Sequence, residues 1–140
     1  MIYDKQTGML NWTKGQKGNI SLHFTFKEIE CKCTFPSCKF NKISKELIDK
    51  IEEIRIATNA PLYITSAYRC EEYQNVLRDG GLRTSVGPST HSLGLAVDIK
   101  QTHMNTLVAE ADKRFAAIGI AKSFIHVDMR TDKRRRWTYA

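Results

Sequence analysis

A chain of 140 residues, 41% hydrophobic and 26% charged, has the size and composition expected of one compact globular domain, and not those of a fibrous or disordered chain. No apolar run approaches the roughly 18 residues that cross a bilayer, so a membrane-spanning helix is excluded as well. The net charge of +7 draws the chain toward polyanions in general (nucleic acid, anionic lipid, a teichoic-acid-bearing wall), but no nucleic-acid recognition motif accompanies it, which speaks against a specific nucleic-acid partner.

Residues 1–24 are polar, contain Gly8, Gly15 and Gly18 and show no clear period, so an irregular lead-in is expected, with at most a short strand near Ile20 to Phe24. The first residues, Met1 to Gln6, lack a basic-then-apolar leader, and the expectation is synthesis in the cytoplasm without a signal peptide. Residues 31–41 form a cysteine loop. Ser44 can cap the helix that follows, in which Leu47, Ile48, Ile51 and Ile54 recur at helical spacing up to about Asn59 and Pro61. Leu62 to Ser66 reads as a strand and Glu71 to Asp79 as a second helix stopped by Gly80-Gly81. Residues 82–90 read as a loop, Gly94 to Ile99 as a second strand, Met104 to Phe115 as a third helix and Phe124 to Met129 as a third strand. Residues 131–140 form a basic tail through Lys133-Arg134-Arg135-Arg136, read either as solvated charge or as a targeting element. The fold class is therefore α+β, a small antiparallel sheet flanked by about three helices within a single domain spanning 1–140. A monomer is expected.

Three of the four cysteines, Cys31, Cys33 and Cys38, lie within eight residues, and Cys70 stands apart. A structural zinc with Cys70 as fourth ligand, one or two disulfides, and reduced thiols all remain open, because C-x-C and C-x4-C are not the common C-x2-C zinc spacing.

The residues with the sharpest chemistry are His91, Asp98 and His126. Alternate side chains of a strand share a face, so Gly94, Ala96 and Asp98 point one way while Leu95, Val97 and Ile99 enter the core. The two tiny residues beside Asp98 leave space for a ligand close to the backbone. In the last strand His126 and Asp128 share a face with Phe124. If these strands are neighbours and His91 enters from the preceding loop, two imidazoles and a carboxylate converge. That donor set suits Zn²⁺ with a fourth position open for water, as in a hydrolytic centre.

Ser89-x-His91-x2-Gly94-x-Ala96-x-Asp98, followed by His126-x-Asp128, resembles the signature of the zinc D-alanyl-D-alanine carboxypeptidase family, and Ile64 to Arg69 resembles its strand ending in Ser-x-Tyr-Arg. The segment Phe26 to Cys33 is similar to one in short phage and prophage members. The resemblance covers roughly residues 24–130. It implies a peptidase of bacterial peptidoglycan stem peptides, of carboxypeptidase or endopeptidase type, in an endolysin-like role that reaches the wall by a holin-type route or within a virion. It implies one catalytic zinc on His91, Asp98 and His126. Arg69 would bind a substrate carboxylate or stabilise the oxyanion, its bland reading being a structural salt bridge. Ser89 would hold substrate at the rim, or serve only its loop. Several members place a general-base carboxylate three residues before the last zinc histidine; here that residue is Ser123, and Phe124 stands where some hedgehog-like relatives carry histidine. Asp128 is then either the catalytic base or a carboxylate that orients a ligand or Arg69. His23 and His103 are further candidates for the base, though nothing in the sequence places them near the metal. The competing readings are a non-catalytic zinc-containing wall-binding or virion structural module and a basic nucleic-acid-binding protein.

Overall fold

The computed structural model describes residues 1–80 and 89–139. Along the chain, β1 (Ile2–Asp4) and β2 (Met9–Thr13) form a hairpin, α1 (Phe26–Ile29) is one capped turn, and β3 (Phe40–Ser44) runs directly into α2 (Lys45–Thr58). Then follow β4 (Tyr63–Ser66), α3 (Glu71–Asp79), β5 (Ala96–Lys100), α4 (Met104–Asp112), β6 (Ala117–Ile120), β7 (Ile125–Asp128) and β8 (Arg135–Thr138). The class is α+β. One sheet is antiparallel in the order β1-β2-β3; the other has the order β4-β5-β7-β6-β8 and is mixed, because β8 runs parallel to β6.

The helices form for the reasons visible in their residues. The Ser44 hydroxyl accepts a hydrogen bond from the Leu47 N–H at 3.2 Å and starts α2. Leu47, Ile48, Ile51 and Ile54 are buried along one stripe, and the helix ends at Asn59, which takes the left-handed conformation with φ 48°. The start of α1 is set by a capping box between Thr25 and Glu28. Among the described residues, no helix is long and apolar enough to cross a membrane.

Three expectations are corrected. The lead-in is not irregular: β1 and β2 pair there, with Leu10 and Trp12 buried on alternate positions of β2. Two buried residues in a five-residue strand are too short a pattern to stand out in a polar stretch. Ile20 to Phe24 is not a strand but a tight turn closed by the Ile20 N–H on the Phe24 carbonyl at 2.9 Å. Residues 131–140 are not a free tail either. Arg135 to Thr138 form β8 against β6, and Arg134 and Arg136 both reach Asp112, at 2.9 and 2.6 Å. The expected loop at 82–90 lies outside the described residues up to 88, as does Gly81.

The five-stranded sheet divides the molecule. Val97, Ile99, Ile118, Ile125 and Val127 pack behind it in one core with Leu47, Ile51 and Ile54 of α2 and Leu107 and Ala111 of α4. Burying this apolar face is the dominant stabilising term and fixes the register, since a slip by one residue would turn every aliphatic side chain outward. The opposite face is left to polar chemistry.

A polar clamp ties the turn at residues 20–24 to α2. Glu52 accepts hydrogen bonds from Ser21 Oγ at 2.9 Å, the His23 backbone N–H at 2.8 Å and His23 Nδ1 at 2.7 Å. Burial works against its ionisation, but the bonds from His23 and Ser21 outweigh it and hold the carboxyl below its ordinary value. A depressed carboxyl adds stability above its unfolded pKa of about 4.3, and this is lost as pH falls through the lower folded value. Glu52→Gln is therefore expected to destabilise the protein by about 1–2 kcal/mol near neutrality. Urea denaturation of both proteins checks it: the gap should shrink at about pH 3, and an undiminished gap would show that the tie is not ionic.

Candidate metal centre

Sheet register brings the candidate residues together. β5 and β7 are antiparallel neighbours, with Asp98 directly opposite His126 and Ala96 opposite Asp128. His91 arrives from the turn before β5, stabilised by the Leu93 N–H on the Ser89 carbonyl and the Gly94 N–H on the His91 carbonyl. The donor atoms of His91, Asp98 and His126 lie within 4.8 Å of one another, and all three residues are buried.

The two imidazoles use opposite nitrogens. His91 Nδ1 lies 2.7 Å from the Ala67 carbonyl, which can only accept, so this nitrogen carries the proton and Nε2 faces Asp98 with a lone pair. His126 Nε2 lies 2.8 Å from Asp128 Oδ2, and its Nδ1 faces Asp98 Oδ1 at 3.0 Å. His91 Nε2 stands 3.3 Å from the same Asp98 oxygen. In a tetrahedral zinc site, bonds of about 2.0–2.1 Å put neighbouring nitrogen and oxygen ligands roughly 3.3–3.4 Å apart. The residues present therefore fit zinc in donor type, in spacing and in the hydrogen bonds that fix each ring.

Charge follows from the same contacts. Burial opposes ionisation of Asp98, yet the flanking His126 and His91 rings hold its carboxyl well below the usual range. Burial pushes His91 down, and the partial pull of Asp98 does not restore it. Burial also acts against a charged His126, but Asp128 and Asp98 on either side raise it above its ordinary value. His126 lies between two carboxylates, Asp98 at Nδ1 and Asp128 at Nε2, and a metal at Nδ1 would stand in place of a proton there.

Arg69 reaches this cluster from beyond β4. Its Nη2 lies 3.3 Å from Asp98 Oδ2, its Nε donates to Ser66 Oγ at 3.0 Å and its Nη1 to Gln74 Oε1 at 3.2 Å. Asp98 thus offers Oδ1 to the histidines and Oδ2 to Arg69. Asp128 is wholly enclosed. Besides His126 it accepts a two-pronged contact from Arg130, Nε to Oδ1 and Nη2 to Oδ2, both at 2.9 Å. Burial would raise its pKa, but His126 and Arg130 hold it well below the carboxylate range. Ser89 is buried in the His91 turn, where its Oγ accepts from the Ser92 N–H at 3.2 Å. Ser123 is exposed in the bend before β7. His23 is engaged with Glu52, and His103 precedes α4; neither joins the cluster.

Gly94 serves a different purpose from the one its size suggests. It lies outside β5, at φ +73°, and a Cβ there would come within 2.9 Å of the Lys42 carbonyl and 3.2 Å of Ile43 Cα. Its smallness lets the His91 turn dock on β3 rather than making room for a ligand. Four further participants were not expected from the sequence. Trp137 of β8 lies beside His126, ring centroids 5.4 Å apart, and covers Gly119 so closely that a Cβ there would meet its indole at 2.4 Å. Arg130, Gln74 and the Ala67 carbonyl hold Asp128, Arg69 and His91. Arg130, two residues beyond Asp128, was the one visible signal; the others depend on strand order.

The family description Peptidase M15 matches residues 22–128 of the chain. No curated protein and no solved structure is matched.

Proposed function

The chain belongs to the Peptidase M15 family, and from that premise we propose that it hydrolyses peptide bonds in bacterial peptidoglycan stem peptides or cross-links, as a phage or prophage wall-lytic enzyme. Family membership supports a zinc metallopeptidase with peptidoglycan as substrate. The observation that carries the reading is the convergence of His91 Nε2, Asp98 Oδ1 and His126 Nδ1, each ring backed by an acceptor on its other nitrogen.

When bound, zinc supplies Lewis acidity, polarising the scissile carbonyl and lowering the pKa of a water to about 7. The rest falls to the chain. His91 and His126 can each turn an unprotonated nitrogen to the ion because the Ala67 carbonyl and the Asp128 carboxylate accept a hydrogen bond from the N–H on the other side of the ring. Arg69 holds Asp98 by one oxygen, and its fixed positive charge meets a substrate carboxylate or the developing oxyanion. We assign Asp128 to orienting His126 rather than to shuttling a proton, since Arg130 and His126 already occupy its oxygens. Ser89 shapes the His91 turn. The +7 charge favours approach to an anionic wall.

A second reading, a zinc-containing wall-binding or virion module without turnover, is favoured by Ser123, which has no carboxylate to offer where several family members place the base. Mass spectrometry of purified peptidoglycan digested with and without a zinc chelator decides between them. Chelator-sensitive products are expected and would identify the bond; zinc-loaded protein that binds wall without releasing products would establish the second reading.

A further inference from the structure

Away from the histidine site, four sulfurs meet. We propose that Cys31, Cys33, Cys38 and Cys70 form a second, closed metal site that takes zinc in all-thiolate tetrahedral coordination. The four Sγ atoms lie within 4.8 Å of one another. Cys70 Sγ stands 3.7 Å from both Cys31 Sγ and Cys33 Sγ. Zinc–sulfur bonds of about 2.3 Å place neighbouring sulfurs of a tetrahedron about 3.8 Å apart. A disulfide brings two sulfurs to about 2.05 Å and singles out one pair, whereas Cys70 is shared equally between two partners.

The surroundings suit thiolates. The Cys70 backbone N–H points at Cys31 Sγ at 3.3 Å, Lys14 Nζ at Cys33 Sγ at 3.5 Å, and Asn41 Nδ2 at Cys38 Sγ at 3.7 Å. Such N–H donors offset the negative charge that four thiolates place around a divalent ion. Cys31, Cys33 and Cys38 are buried and Cys70 partly so, packed with Phe35, Tyr68 and Tyr73. Four protein ligands leave no position for water, so this site is structural.

Its location gives it a task. Cys31, Cys33 and Cys38 lie between α1 and β3, while Cys70 caps α3 immediately after Arg69. Besides the sulfurs, the Tyr68 N–H on the Ile29 carbonyl at 3.1 Å and the Ser37 hydroxyl on Glu72 Oε1 at 3.1 Å, the latter exposed, tie these parts of the chain together. An ion on the four sulfurs would anchor the segment that supplies Ala67 to His91 and Arg69 to Asp98. The assignment does not depend on hydrolysis at the histidine site.

Elemental analysis of the full chain, expressed with zinc and purified without chelator, tests it. Two zinc per chain are expected in the wild type, and one in Asp98→Ala. Cobalt-substituted Asp98→Ala should show intense visible bands and a near-ultraviolet sulfur-to-cobalt charge-transfer band. Cys38→Ser should lose one zinc. Should that variant not fold, titrating wild-type thiols with a mercurial should release one zinc as four thiols react. Folded Asp98→Ala without zinc, or disulfides in the unreduced wild-type chain, would overturn the proposal. Cys38→Ser without zinc beside Asp98→Ala with one would overturn the histidine site instead.

Discussion

Asp98→Ala is expected to lower hydrolysis of peptidoglycan peptides by about 10³-fold or more, because the several kcal/mol that a bound zinc lends the transition state are lost at about 1.4 kcal/mol per tenfold. Asp98 has three partners: its Oδ1 faces both histidines and its Oδ2 meets Arg69. Removing it deletes one of the three proposed zinc donors, takes the counter-charge from between His91 and His126, and frees a guanidinium whose side chain is only 11% exposed. The last effect costs stability as well, since a charge left without its partner in a largely enclosed site is strongly unfavourable. Activity, bound zinc at the histidine site and a folded circular-dichroism spectrum are to be measured together. A folded Asp98→Ala protein with wild-type hydrolysis would sink the metal-centred reading outright.

Asp128→Asn separates two roles with the same atoms. An asparagine amide keeps the size of the carboxylate but can turn its NH₂ toward His126 and loses the charge that grips Arg130. If Asp128 orients His126, zinc affinity should fall about 10–100-fold, while kcat of the zinc-saturated variant stays near wild type. If Asp128 is the base, zinc affinity should hold and kcat should fall about 10²–10⁴-fold. We expect the first outcome, because Asp128 is fully enclosed and both its oxygens are already engaged by His126 and Arg130. Zinc titration against a competing chelator, followed by kinetics at saturating zinc, distinguishes the two.

By itself the sequence determined the local elements with long or strongly marked patterns. The stripe Leu47, Ile48, Ile51, Ile54 behind a Ser44 cap specifies α2, and Gly80 follows Asp79 where α3 ends. The alternation over Ala96 to Ile99 and Ile125 to Asp128 separates core from site, although Gly94 and the half-buried Leu95 before it fall outside the strand, and so the candidate metal residues were legible, because strand period and donor chemistry both act over a few neighbouring positions. Short strands were not legible. β2 buries two residues and β6 spans Ala117 to Ile120, and a place between two partners (β1 and β3 for β2, β7 and β8 for β6), not local preference, makes them strands. The arginines of β8 read as solvated charge until β6 supplies a ladder and Asp112 a counter-ion. Tertiary structure alone decided that Asp98 stands opposite His126, that Trp137 covers Gly119 and that Cys70 joins three cysteines more than thirty residues away. Each of those depends on strand order and on which backbone can approach which, and those are settled only when the apolar faces of separate elements are buried together.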